Sequence, residues 1–551
     1  MSNYFICVGG TGSRIGEAFV YLSATGYLGS GKTQIWIVDK DTKCANGSIL
    51  HAAVNEYAAV RSNCLWQEAP CFTQELSLNE WNFDDALKQL DPNATGESAF
   101  KALGGGSKEV GCVMKFLHDA ESLDNSMSRG FYGRAQTGTA LYKAIEQIPN
   151  LFDKDALFSA IRDDINKGET PSVYLAGSSF GATGASLLPN MAKTLRNQFS
   201  NRVAIGAVLM LPYFSYETMT SDGSKALVSP ETHWEKAREA LRYYGDERRM
   251  SIRRVGDPLR DPGATLDAFY VVGCTPLAAI NSNYADGGEG QDNKSHIAEL
   301  YAAMGARHFF ELAQNGKEDE NNFGIPASYA YCLGDGADFN WNRIDPALKV
   351  PMLSLTRFSL AVLTFLHPLT HQKEPLKKND TLQKCFGKTR FMGGDARIDD
   401  AVMQDSVKNI ADFSRRFLDY VQYLNYIGPD VALFDSSFLG DLFTVLDGFS
   451  PLRGSASRLR DLTLSEAYSE EERKKVYSLC QMLWISANPN APIDPRAKET
   501  NIGQLQDYII QQMGPFKSAG IGAGDFGDHT RNGMRKMYQC VYDMGRSFKF
   551  G

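Results

Sequence analysis

The feature that most restricts the fold is a repeated junction, in which a continuously apolar run meets glycines and passes at once into a helical pattern. Tyr4–Val8 is followed by Gly9-Gly10-Thr11-Gly12-Ser13-Arg14-Ile15-Gly16 and a helix expected over Arg14–Thr25. Ser172–Ala176 is followed by Gly177-Ser178-Ser179-Phe180-Gly181-Ala182-Thr183-Gly184-Ala185-Ser186 and a helix expected over Leu187–Asn197. Further apolar runs lie at Gln34–Val38, which ends in Asp39, at Val203–Leu211 and at Ala268–Val272. Runs that are apolar throughout belong to strands buried on both faces, and strands alternating with helices belong to a parallel sheet. The expected class is α/β: a parallel-sheet domain over residues 1–292, a long central helix over 293–316, then a second domain and α-rich extension over 317–551. Helices are expected there at Met352–Phe365, Asp400–Tyr426, Ser465–Ile485 and Asn501–Gln512, and the glycine-rich Gly520–His529 reads as mobile or ordered by a partner.

Composition excludes several classes. At 551 residues the chain is too long for one core, since cores stop growing near ~250–300 residues. Apolar and aromatic shares of 43% and 11% exclude wholesale disorder. A net charge of −8 argues against general nucleic-acid binding. The 10 cysteines are scattered without a C-x-x-C pair, so neither a zinc site nor a disulfide framework is expected, and most should be reduced and buried. The N-terminus lacks a basic segment and a long apolar core, so a cytoplasmic location is expected. No membrane span is expected either: the most apolar stretch, Pro351–Leu366, carries Arg357 and two serines.

Four motifs compete. Gly26–Thr33 spells G-x-x-x-x-G-K-[ST], but a helix precedes it and a strand follows, the reverse of what a phosphate loop needs. Gly177–Gly181 spells G-x-S-x-G between a strand and a helix, which would make Ser179 the nucleophile of an α/β-hydrolase with His367 or His371 as base. Gly9–Gly16 suits close approach of an anion to helix amides. With Asp39 ending the second strand, it leaves a Rossmann dehydrogenase open. Finally, Gly181–Ser186 makes a second strand–glycine–helix junction, and two such junctions in one sheet can grip one polyphosphate. The basic run Arg248, Arg249, Arg253 and Arg254 reads as a solvated face.

Taken in order, these segments resemble the tubulin/FtsZ superfamily, specifically divergent bacterial tubulin-like proteins. Gly9, Gly12, Ile15 and Gly16 match the first tubulin loop, G-Q-C-G-N-Q-I-G, and Gly181, Thr183 and Gly184 match G-G-G-T-G-[ST]-G. Pro212-Tyr213-Phe214-Ser215-Tyr216-Glu217 is similar to the FtsZ segment P-F-x-F-E, and Asp292-Asn293 opens a long helix like the one that presses on the base. The resemblance implies a nucleotide-binding domain of that type, taking GTP or GDP with Mg²⁺, with self-association into a homo-oligomer or filament. Gly9, Gly10, Thr11 and Gly12 would meet the phosphates, as would Gly181, Ala182, Thr183 and Gly184. Arg14 would stand near the base and Asn293 at its edge. Arg134, within Gly133–Gly138, would neutralise phosphate charge. Asp39 and Asp41 are the Mg²⁺ candidates, and Asp335 or Asp338 would activate water across a subunit interface. The region after residue 350 departs from the family and would serve protein partners or self-assembly. A nucleotide-dependent scaffold without hydrolysis stays open beside the hydrolase.

Overall fold

Every residue from Tyr4 to Val8 is fully buried, as a strand with helices on both faces requires. The computed structural model of the chain describes residues 2–90, 130–216, 230–279, 295–315, 328–333, 346–370, 380–386, 398–425 and 526–547, apart from positions 42, 132, 255–256 and 275–276, with isolated residues elsewhere. It divides into two units. Met1–Val20, Gly31–Val54 and Glu75–Asp338 form the first, and Tyr21–Ser30, Asn55–Gln74 and Phe339–Gly551 the second.

Along the chain, β1 (Asn3–Val8) runs into α1 (Gly9–Thr25), β2 (Gly31–Asp39) into α2 (Ala45–Asn63) and β3 (Gln74–Asn82) into α3 (Phe83–Leu90). Then come α4 (Ala135–Glu146), α5 (Ala156–Asn166), β4 (Ser172–Ser178), α6 (Ala182–Phe199), β5 (Ala204–Met210), α7 (His233–Gly245), β6 (Ala268–Cys274), α8 (Ile297–Asn315) and β7 (Ser328–Leu333). The strands form one sheet in the order β3-β2-β1-β4-β5-β6-β7. From β2 to β7 every pairing is parallel, with Asn3 of β1 opposite both Thr33 of β2 and Ser172 of β4. The expected strands are all present. β7 extends the first unit beyond the boundary expected at residue 316, because it pairs with β6.

Alternate residues of a strand serve opposite faces. Tyr4, Ile6 and Val8 pack with Leu141 and Tyr142 of α4, Phe158 of α5 and Leu187 of α6. On the other face Phe5 meets Phe19 and Tyr174, at 4.6 and 5.6 Å between ring centres, and Tyr174 meets Phe309 of α8 at 5.8 Å. The helix α8 lies so close to β5 that a Cβ on Gly206 would stand 2.7 Å from the Phe309 ring.

The second unit is mainly helical where described. Its principal helices are α9 (Pro346–Ala361), continued by a π-helical turn at Val362–Leu366, then α10 (Asp400–Asn425) and α11 (Phe526–Ser547). Tyr21 meets Phe413, Phe417 and Tyr420 of α10 at 6.0, 5.7 and 4.6 Å. Ser406 ties three pieces together: its carbonyl accepts from the Cys64 thiol at 3.4 Å, and its hydroxyl shares a 2.9 Å hydrogen bond with Tyr538. The expectation of a mobile Gly520–His529 is corrected at Phe526–His529, which form the first turn of α11. Met534, Met537, Tyr538, Val541 and Tyr542 recur at helical spacing and are buried, and such an apolar stripe orders a helix by packing. The helices expected at Ser465–Ile485 and Asn501–Gln512 lie outside the described residues, save for two positions of the latter.

Gly26–Thr33 joins α1 to β2, with Gly26 and Gly29 at φ +83° and +74°. It is a helix-to-strand turn, the wrong side of the sheet for a phosphate loop. No described helix is long and apolar enough to cross a membrane. Cys7, Cys44, Cys64, Cys71, Cys274, Cys385 and Cys540 are free and buried, and Cys112 is free and exposed. In the basic run, Arg248 and Arg249 pair with Asp246 and Arg254 with Glu247, whereas Arg253 is buried and donates to the Asp267 carbonyl at 3.0 Å.

Candidate functional site at the glycine loops

The strand order reverses direction at one place. From β1 the chain moves outward through β2 and β3, then returns to lay β4 on the other side of β1. Loops leaving two neighbouring strands in opposite directions open a crevice at their carboxyl ends, where open α/β sheets bind ligands. Both glycine junctions sit there, one after β1 and one after β4.

Both helices begin earlier than expected, at Gly9 and Ala182 rather than Arg14 and Leu187. Glycine is a poor helix former, so its presence must answer another need. Gly12 shows it: a Cβ there would stand 2.5 Å from the Ala176 carbonyl oxygen and 2.7 Å from the Cys7 carbonyl carbon. Gly184 is similar, since a Cβ would come within 2.6 Å of the Ser178 amide nitrogen. Gly9 has φ +73°, and its Cβ would lie 3.1 Å from Thr183 Cβ, so the two loops touch. Gly9 and Gly12 are buried while Gly10 and Thr11 are partly open to solvent. At the start of α6, Gly181 is the N-cap and no side chain caps the helix. The first-turn amides of Ala182, Thr183 and Gly184 therefore keep the donors and positive potential of an uncapped N-terminus.

Asp39 stands opposite, at the end of β2. Its Oδ1 accepts from the Thr183 hydroxyl at 3.3 Å and from the Asp41 amide at 3.2 Å. Burial pushes the Asp39 carboxyl up to about 7, against those hydrogen bonds. Asp41 in turn accepts from the Lys43 amide at 3.2 Å. Among the described residues no three His, Cys, Asp or Glu side chains are grouped to hold a metal ion. The two carboxylates do not make a protein cage. They fit outer ligands of a Mg²⁺ ion carried by phosphates, which keeps most of its water.

Arg14, expected near a base, is only 4% exposed and commits its Nε to Glu299 Oε1 at 2.5 Å. Glu299 also accepts from the Tyr213 hydroxyl at 2.6 Å and the His296 amide at 2.9 Å. This buried cluster joins α1, the segment after β5 and the entry of α8. A buried carboxylate is held only when its hydrogen-bonding capacity is met, and Glu299 meets its own with these three bonds. Burial and the Arg14 charge push the His296 imidazole down to about 3, so it is neutral at pH 7. Asn293, Asp335 and Asp338 lie outside the described residues.

Ser179 does not have the setting of a nucleophile. It is buried, and its hydroxyl donates to the Met210 carbonyl at 2.9 Å. A nucleophilic serine instead donates to a base, and no described histidine is hydrogen-bonded to it.

Arg134 is the N-cap of α4, again without a capping side chain. The first turn of α4 lies on α6, with a Cβ on Gly138 only 2.3 Å from Ser186 Oγ. A further wall was not foreseen. His233, the first residue of α7, stacks on Phe180 at 4.9 Å, and its Nε2 lies 3.4 Å from the Tyr216 hydroxyl. Burial, then the Lys236 charge, push the His233 imidazole down to about 4. Burial, then the Arg134 charge, push the Lys236 ammonium, one turn along, below its usual range. Nothing in the residues around His233 and Lys236 marks them for this place. Only the preceding aromatic segment, Tyr213 to Tyr216, gave any signal. No family model, no curated protein and no solved structure matches this chain.

Proposed function

We propose that the chain binds a nucleotide, with GTP or GDP preferred, in the manner of the tubulin/FtsZ proteins its motifs resemble. One observation carries this reading: two glycine junctions lie side by side at the carboxyl ends of β1 and β4, at the point where the strand order reverses. Uncapped amides at the start of α6, backbone stripped of side chains at Gly9, Gly12 and Gly184, and a hydroxyl at Thr183 supply many donors and little bulk. That is the requirement of a polyphosphate. In a protein of net charge −8, a Mg²⁺ ion on the phosphates, held outwardly by Asp39 and Asp41, would offset their charge. Self-association and hydrolysis belong to the same reading, through Asp335 or Asp338 of a neighbouring copy. A dinucleotide is the second reading, favoured by the strand order and by a carboxylate at the end of β2.

Identification of the nucleotide that co-purifies, followed by calorimetry, tests the proposal. A guanine nucleotide is expected, and Thr183→Ala should weaken its binding about tenfold through the lost hydroxyl. Protein that binds no nucleotide sinks the reading, and a co-purifying NAD or FAD selects the dinucleotide.

A further inference from the structure

Polar side chains around the second glycine loop find their partners within the fold. Ser178 accepts from the Gly181 amide at 3.1 Å, Ser179 donates to the Met210 carbonyl, Thr183 donates to Asp39, and Ser186 donates to the Ala182 carbonyl at 2.7 Å. His233 differs. It is only 3% exposed, and its Nδ1 has no hydrogen-bond partner among the described residues. An unpartnered polar atom buried in a folded protein is costly, and a ligand that pairs with it is one reason for its presence.

The location of the ring points to such a ligand. The imidazole stacks on Phe180 at 4.9 Å between ring centres and an angle of 28°. Phe180 immediately precedes Gly181, the N-cap of α6, where no side chain caps the first-turn amides. Phe214 and Tyr216 meet the same imidazole at 6.5 and 5.8 Å between centres, so aromatic rings fix its plane. The two ring nitrogens serve different edges. Nε2 takes the edge beside the Tyr216 hydroxyl, at 3.4 Å, and Nδ1 is left on the other. Burial above all keeps the imidazole neutral at pH 7, and burial keeps the Tyr216 phenol protonated. A Tyr216 hydroxyl that donates to Nε2 leaves the one ring proton on Nδ1.

We propose that His233 is a ligand-contact residue of the glycine-loop site, its Nδ1–H donating to an acceptor oxygen of the nucleotide whose phosphates the α6 amides hold. This rests on the nucleotide reading above and adds α7 as a wall of the site. A neutral imidazole gives a directional donor without a charge, beside amides that already carry positive potential.

Two substitutions separate the donor from the ring. Phenylalanine keeps a ring to stack on Phe180 and has no nitrogen, whereas asparagine places an amide nitrogen where Nδ1 stands and has no ring. GTP affinity by calorimetry and ligand-free thermal midpoints are measured on the full chain for wild type, His233→Phe and His233→Asn. His233→Phe should weaken GTP about tenfold while its midpoint stays at or above wild type, because the unpartnered nitrogen is gone. His233→Asn should lower the midpoint through the lost stack and yet bind GTP more tightly than His233→Phe. A residue that serves only packing would give the reverse order. In wild-type protein with nitrogen-15 histidine, the His233 signal, identified by its absence from the variants, should show the proton on Nδ1 and should move when GTP is added. GTP binding unchanged in His233→Phe, binding by His233→Asn no tighter than by His233→Phe, or an unmoved Nδ1 signal overturns this inference alone. Wild-type protein that binds no nucleotide overturns it together with the nucleotide reading.

Discussion

Asp39 shows how much one residue's setting changes its meaning. In sequence it is a carboxylate at a strand end, suited to a ribose or a cation. In the fold it faces Thr183 across the crevice, and burial raises its carboxyl from 3.8 to about 7. A raised acid binds its proton more tightly in the folded state, so its contribution to stability is full below pH 3.8 and is lost as pH rises through about 7. Asp39→Asn should therefore remove a stability loss that the ligand-free wild type shows between pH 4 and 7. Urea midpoints across that range check it, and parallel curves for the two proteins would refute it. Arg14 changed meaning in the same way. As a residue near the first glycine loop it reads as a ligand contact. Only the approach of α8 supplies Glu299, 285 residues away in sequence, which makes it half of a buried pair.

At the scale of elements, the two glycine-to-helix junctions were legible because close backbone approach leaves no other residue type available. The helix starts were not, since propensity disfavours glycine and packing against β1 and β4 overrides it. The glycines themselves are not equivalent. A Cβ on Gly184 would press on the Ser178 backbone at 2.6 and 2.7 Å, whereas on Gly181 it meets only the Ser178 hydroxyl at 2.8 Å, which can turn away. Gly184→Ala should cost about 2 kcal/mol or more in chemical denaturation. Gly181→Ala should stay within about 0.5 kcal/mol of wild type and yet weaken nucleotide binding. Equal destabilisation by the two would show that the loop geometry is wrong. The helix α7 was the opposite case: its sequence looks like that of any solvated helix, and the stacking of His233 on Phe180 comes only from the fold.

At the scale of the whole molecule, the chain divides into two units, and α1 and α2 each contribute residues to both. No continuous division such as 1–292 and 317–551 can express that. If nucleotide binding drives self-association, sedimentation with GTP and Mg²⁺ should pellet the protein, and GDP or chelator should reduce the pellet. Absence of pelleting with every nucleotide would leave the non-hydrolysing scaffold. By itself the sequence determined the α/β class, the strands and the two glycine junctions, because burial on both faces and close backbone contact are local demands that leave local marks. Tertiary structure alone decided that the two junctions meet at the reversal of strand order, that Arg14 is bound to Glu299, that Ser179 donates to a carbonyl and that His233 stacks on Phe180. Those are meetings of residues distant in the chain, and pairing and desolvation at such meetings leave no pattern in the residues on either side.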